Sequence, residues 1–174
     1  MRDIRYEELY ERGALGAMGR DVGAGVTLVL SSVNLGRLVV ARSLASDSLT
    51  RLRILFVIAY HAVESLRSLQ DGVIARPGMD VARRHALAEA IGSGDARWIR
   101  KHRHLRNLLV HYLPDRGSSP SVESANRIDW IEAYADMALS DLVGMVERYL
   151  DDVSSVLEDG LGILGDTFRW AAIP

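Results

Sequence analysis

Cysteine is absent from this 174-residue chain. Disulfides, thiolate catalysis and cysteine-based zinc sites are therefore excluded, a composition that suits a reducing cytosol. Charge of one sign is not in excess either. Lys and Arg number 21 and Asp and Glu 23, a formal net charge of −2. No global field draws nucleic acid in, so any contact with RNA has to come from a local basic patch. Aromatic residues make up only 6%, few for stacking on bases. A long uninterrupted apolar run is also missing. The nearest approach is 22–41, VGAGVTLVLSSVNLGRLVVA, where Asn34 and Arg37 interrupt and Ser31 and Ser32 lie near the middle. A spanning helix needs about 20 mostly apolar residues, so a buried helix of a soluble protein is expected there, with no membrane partner. The N-terminal MRDIRYEELYERG is charged throughout and lacks the apolar stretch of a signal peptide. The expected location is cytoplasmic.

What is present is helical periodicity. At 48% hydrophobic residues the chain has the means to bury a core, and a single domain over 1–174 is expected, with an N-terminal helix in 1–20 and a tail in 160–174. A weak, charged first helix is predicted from Arg2 to about Met18. A second, capped by Asp21, runs to about Ala45. Asp47 or Ser48 restarts the chain. A third helix from Leu49 to about Leu69 places Leu52, Leu55, Phe56, Ala59, Ala62, Val63, Leu66 and Leu69 at spacings of three and four, an apolar stripe that marks a central helix. After a turn at Pro77-Gly78, Asp80 caps a short helix to about Ile91. Gly92-Ser93-Gly94 breaks the chain, Asp95 is the expected cap of the next helix, and Pro114 ends it. Ser119 and Pro120 read as N-cap and first residue of the longest helix, to about Leu157, with Gly144 as a candidate bend. The fold class is all-α, an antiparallel bundle of four main helices and shorter ones.

The helix between Asp95 and Pro114 carries the chemistry. On a wheel of about 100° per residue, Arg100, Arg103, His104, Asn107 and His111 share one face. Trp98, Leu105, Leu108, Leu109 and Tyr112 gather on the other. Asn107 and His111 are four apart, close enough to touch. Arg106 lies about 140° from His111, so one helix alone brings these two together poorly. His102 and His104 form no ligand set with neighbouring carboxylates, and neither a metal nor another cofactor is expected. His61, beside the apolar stripe, is expected to be packed and hydrogen-bonded. Glu64, among apolar residues of the third helix, is a candidate partner of Arg106 or Arg103, or, more simply, of Arg67 three residues on.

The run Arg106-Asn107-Leu108-Leu109-Val110-His111-Tyr112 resembles the HEPN motif. HEPN domains are small all-helical proteins, many of them metal-independent ribonucleases and others non-catalytic helical modules. The resemblance implies a HEPN-like bundle that dimerises along the motif helix, so that two copies build one site. It also implies RNA cleavage by the RNA's own 2′-hydroxyl, of the toxin or phage-defence kind. Arg106 and His111 would be catalytic and Asn107 assisting, with Glu64 in support. A histidine can move the protons, and an arginine can stabilise the crowded phosphorane. Arg97, Arg100, Lys101, Arg103 and His104 would contact phosphates. RNA is the implied substrate and an antitoxin protein an implied partner. One departure from the family pattern stands out. HEPN toxins silenced by a nucleotidyltransferase often carry a tyrosine two residues after the histidine. Here that position is Leu113 and the tyrosine is Tyr112, so tyrosine modification is not the expected mode of control. The alternative from another class is a non-catalytic helical dimer that binds a protein or a small ligand between its helices.

Overall fold

The computed structural model describes residues 20–43, 48–74, 81–111 and 126–157, with every side chain among them except those at 20–22, 42, 43, 72–74, 82, 83, 86 and 111. Its helices are α1 (Arg20–Ser43), α2 (Ser48–Ile74), α3 (Val81–Gly92), α4 (Gly94–Lys101), α5 (Arg103–His111), α6 (Arg127–Ala135) and α7 (Leu139–Ser155). No strand occurs among the described residues, and the fold is an all-α helical bundle. The expected helix at 2–18, the caps at Asp47 and Asp80, the turn at 77–78, the segment from Tyr112 to the Ser119-Pro120 start and the tail lie outside the described residues.

The central helix is α2, as its stripe requires. Leu52, Leu55, Phe56, Ala59, Ala62, Val63 and Leu66 are all buried, and Leu69 packs against their edge. At 27 residues it spans about 40 Å and packs against α1, α3, α4, α5 and α7. Burial of each large aliphatic or aromatic side chain in such a core contributes about 1.5–3 kcal/mol.

Helix α1 runs antiparallel to α2, since Gly25 faces Leu69 while Gly36 faces Ile58. A Cβ at Gly36 would collide with Ile58 Cδ1, so the missing side chain permits the close approach. Helix α1 is antiparallel to α7 as well. Ser154 Oγ donates to Asn34 Oδ1 at 3.0 Å, and one turn on Arg37 pairs with Asp151. It follows that α2 and α7 point the same way, and Arg51 on α2 ties to Glu147 on α7, its Nε donating at 2.7 Å. The inner face of α1 is Val26, Val29, Leu30, Val33 and Val40. Its outer face bares Leu28 (68% exposed), Leu35 (62%) and Val39 (39%). The stretch Gly23–Ala41 is long and apolar enough to cross a membrane, and 33% of it is buried. This helix is thus buried on one face only, not all round.

Two helices expected to be continuous are broken. The one expected from Asp95 begins at Gly94, and its N-cap is Ser93, whose Oγ accepts from the Ala96 N–H at 3.0 Å. Asp95 sits in the first turn instead, where a carboxylate favours the positive helix end. That helix stops at Lys101. His102 turns out of it (φ −94°, ψ 44°), its N–H still donating to the Trp98 and Ile99 carbonyls. Nδ1 donates to the Trp98 carbonyl at 2.8 Å, and the imidazole stacks on the Trp98 ring at 3.7 Å and 19°. The long C-terminal helix breaks at Asp136, in left-handed backbone at φ 50°, a conformation that Asp tolerates better than most residues. Glu132 bridges the break. Its carbonyl accepts from Asp136 N–H, and its Oε1 accepts from Leu139 N–H at 2.7 Å. This supplies the cap that Ala138 has no side chain to give. Gly144, the candidate bend, lies inside the unbroken α7.

Candidate functional site

One face of α2 holds the motif helices. Arg53, Phe56, Tyr60 and Glu64 recur at spacings of three, four and four, and all four meet α4 or α5. Arg53 Nε donates to the Leu109 carbonyl at 3.0 Å. The Phe56 ring meets Trp98 edge to face at 6.4 Å between centroids. The Tyr60 ring lies under the Arg106 guanidinium, 5.7 Å from Cζ to centroid. Glu64 Oε1 accepts from Arg100 Nε at 3.0 Å. The sequence reading marked only Phe56 and Glu64 in this row. The signal for Arg53 and Tyr60 was the same spacing, carried by residues flanking the apolar stripe.

Helix α5 anchors on Leu105 and Leu109, which are buried, and leaves Arg103 and His104 exposed. Arg106 and Asn107 are half-buried between these faces. Arg106 Nη1 donates to Asn107 Oδ1 at 2.7 Å. Asn107 Oδ1 thus braces the neighbouring arginine. Arg106 Nε is buried and finds no hydrogen-bond partner, and the guanidinium has no carboxylate partner among the described residues. An aromatic face and an amide oxygen hold this cation without neutralising it. His111 is the last described residue of α5, and its side chain lies outside the described residues.

The basic residues do not form one row. Because the backbone turns at His102, Arg100 belongs to α4 and is drawn onto α2. Glu64 is its partner, in place of the expected Arg106, Arg103 or Arg67. At 33% and 42% side-chain exposure, this pair is partly screened and adds at most about 1 kcal/mol. Lys101 is exposed, as are Arg97, Arg103 and His104. His61 is exposed instead of packed, its ring edge-on to Tyr60 at 5.9 Å. Among the described residues no cluster of three or more His, Asp or Glu is placed to hold a metal ion.

The arrangement is an all-α bundle whose central helix presents a short basic helix pair, with half-buried Arg106 meeting no carboxylate among the described residues. No family model, curated protein or solved structure matches the chain.

Proposed function

We propose that the chain is a HEPN-type, metal-independent endoribonuclease of the toxin or phage-defence kind. In this reading it works in the cytoplasm as a homodimer and is held in check by an antitoxin protein. The observation that carries the reading is Arg106. It stands in the motif that resembles HEPN, propped by Tyr60 and Asn107, with no carboxylate among the described residues to neutralise it. A half-buried cation so placed favours an anion. A phosphate brought by RNA would satisfy it, with exposed Arg97, Lys101, Arg103 and His104 contacting the flanking backbone.

The reaction balances within the RNA. The 2′-oxygen attacks the adjacent phosphorus, forming one P–O bond while the bond to the 5′-oxygen breaks. His111 takes the 2′-hydroxyl proton, and a proton returns to the leaving 5′-oxygen. Arg106 stabilises the charge on the phosphorane. The products carry a 2′,3′-cyclic phosphate and a 5′-hydroxyl. The test is cleavage of end-labelled RNA in EDTA by wild type, Arg106→Ala and His111→Ala. Wild type should cut, and each variant should lose about 100-fold to 10,000-fold in rate.

A groove between α1 and α2 favours a second reading, a non-catalytic module that takes a small ligand or a protein partner. It encloses about 610 Å³. Leu28, Val29, Val57, Ile58 and Leu69 line it, with His61, Glu64, Ser65 and Ser68 as polar groups, a lining that suits an apolar ligand with a few hydrogen-bonding atoms. A folded wild type inactive on every RNA would favour this groove as the working site.

A further inference from the structure

The outer face of α1 lacks what the outer face of a bundle helix carries. Such a face sets charged and polar residues against water, and 25% of this chain is charged. Yet 22–36 holds no Asp, Glu, Lys or Arg, and Arg37, which follows, is turned to Asp151 on α7. Leu28 (68% exposed), Leu35 (62%) and Val39 (39%) stand out of this face instead. On a wheel of about 100° per residue, Ala24, Leu28, Ser31, Ser32, Leu35 and Val39 share one arc about 100° wide. That is the width of an apolar stripe made to be covered by another element.

The stripe is complementary to itself. In an antiparallel pair of α1 helices with a twofold axis between Ser31 and Ser32, Leu28 meets Leu35 of the second copy, and Ala24 meets Val39 of the second copy. Each contact occurs twice, as an isologous interface requires. Ser31 and Ser32 stand at the crossing, where small side chains let helix axes approach closely. The charge-free face sets no like charges against each other across the axis. The groove between α1 and α2 opens beside Leu28 and Ser32 and leaves room for side chains of the second helix. A lipid surface fits less well. Helices that lie on lipid carry Lys or Arg on the polar face and Trp or Phe on the apolar one, and α1 has no Lys, Trp or Phe.

We propose that this face of α1 binds a second copy of the chain, as an antiparallel helix pair centred on Ser31 and Ser32. The contact lies away from the motif helices. Helix α2 turns Arg53, Phe56, Tyr60 and Glu64 to α4 and α5, and Ile58 and Leu69 to α1. The two sets are roughly 160° apart on the helix. The proposal therefore does not rest on the ribonuclease reading, and a dimer along the motif helix and an α1 pair are compatible in one assembly of four. From Ala24 to Val39 the strip runs about 22 Å. It is small beside the roughly 800 Å² a side of a standard interface, so the pairing is reversible.

The test uses the full chain. Because it has no cysteine, Ser32→Cys introduces a single thiol, and at the axis that thiol meets its own copy. Mild oxidation should link Ser32→Cys into a covalent dimer. Val81→Cys, at a position 78% exposed on α3, should stay largely unlinked. In sedimentation velocity, Leu35→Glu should halve the mass of the assembly. Loss of one buried leucine corresponds to about tenfold in affinity, and the twofold removes two at once, so the dissociation constant should rise about a hundredfold. Leu28→Lys should act alike. The double variant Leu28→Lys, Leu35→Glu should regain association, since each lysine then faces a glutamate of the other copy. Thermal melts of the single variants should match wild type, because both leucines are exposed. Equal linking of Ser32→Cys and Val81→Cys would overturn the proposal. So would equal masses of wild type and Leu35→Glu, or a double variant that associates no better than its singles. A monomeric wild type that floats with phosphatidylcholine vesicles, and stops doing so as Leu35→Glu, would overturn it too and give the face to a lipid surface.

Discussion

The support under Arg106 can be removed one ring at a time. Its guanidinium lies 5.7 Å from the Tyr60 ring centroid, inside the roughly 6 Å reach of a cation–π contact. Such contacts contribute about 0.5–1 kcal/mol at exposed sites and about 2 kcal/mol when desolvated. Both partners are half-buried, so about 1 kcal/mol is expected here. Tyr60→Leu keeps apolar bulk and deletes the π face, whereas Tyr60→Phe keeps the face and deletes only the hydroxyl. For a chain of this size 1 kcal/mol corresponds to a Tm shift of about 2–4 °C. Tyr60→Leu should melt that much lower and Tyr60→Phe close to wild type. A double-mutant cycle in urea between Tyr60→Leu and Arg106→Met isolates the pair from packing losses and should return a coupling of about 1 kcal/mol. If the ring also orients Arg106 for catalysis, cleavage by Tyr60→Leu should drop about fivefold to tenfold, since each 1.36 kcal/mol is tenfold in rate, while Tyr60→Phe stays active. A coupling near zero, or equal behaviour of the Leu and Phe variants, would refute the claim that this ring holds the arginine.

Three further outcomes follow from single contacts. Ser93→Ala removes the cap of α4 and should cost about 1 kcal/mol, read as a melt about 2–4 °C lower. Glu64→Gln releases Arg100 from its carboxylate. Stability should change by less than about 1 kcal/mol, while RNA binding tightens and its log–log salt slope steepens by about one. Burial pushes the Tyr149 phenol well above its ordinary value, because the folded core disfavours the phenolate. A group whose folded pKa is raised contributes stability that is complete below the unfolded value, near 10, and is lost as pH climbs towards the folded one. Alkaline unfolding should therefore set in above about pH 10, and Tyr149→Phe should move it to higher pH. At neutral pH Tyr149→Phe should be neutral to stabilising, since the buried hydroxyl has no hydrogen-bond partner among the described residues.

The central helix was legible in the sequence because its apolar residues keep an unmixed spacing of three and four, and every residue of that stripe faces the core or its edge. The motif helix was legible as amphipathic for the same reason. Its break was not. Neither glycine nor proline marks His102, whose imidazole sits at the turn stacked on Trp98 and bonded to its carbonyl. A wheel drawn through that point keeps Arg100 beside Asn107 and His111, whereas the folded chain sends it to Glu64. The break at Asp136 was hidden likewise, since its stabilising contacts run through Glu132 on one side and Leu139 on the other. Asp95 read as the cap, and the backbone register gives that role to Ser93 two residues earlier. The partners of Arg53 and Arg106 are tertiary: the spacing of Arg53, Phe56, Tyr60 and Glu64 shows that they share a face, and packing decides what that face meets.

The composite site is tested most directly by mixing two inactive copies. Arg106→Ala and His111→Ala are purified separately, then unfolded and refolded together, and the mixture is assayed on RNA in EDTA. If Arg106 of one copy works with His111 of the other, each mixed dimer holds one intact site and one doubly broken site. Random pairing should then restore about a quarter of wild-type activity, half of the dimers being mixed and half of their sites intact. A mixture as inactive as its two components, beside an active wild type, would contradict a site shared between copies. A wild type that cuts no RNA would contradict the ribonuclease itself.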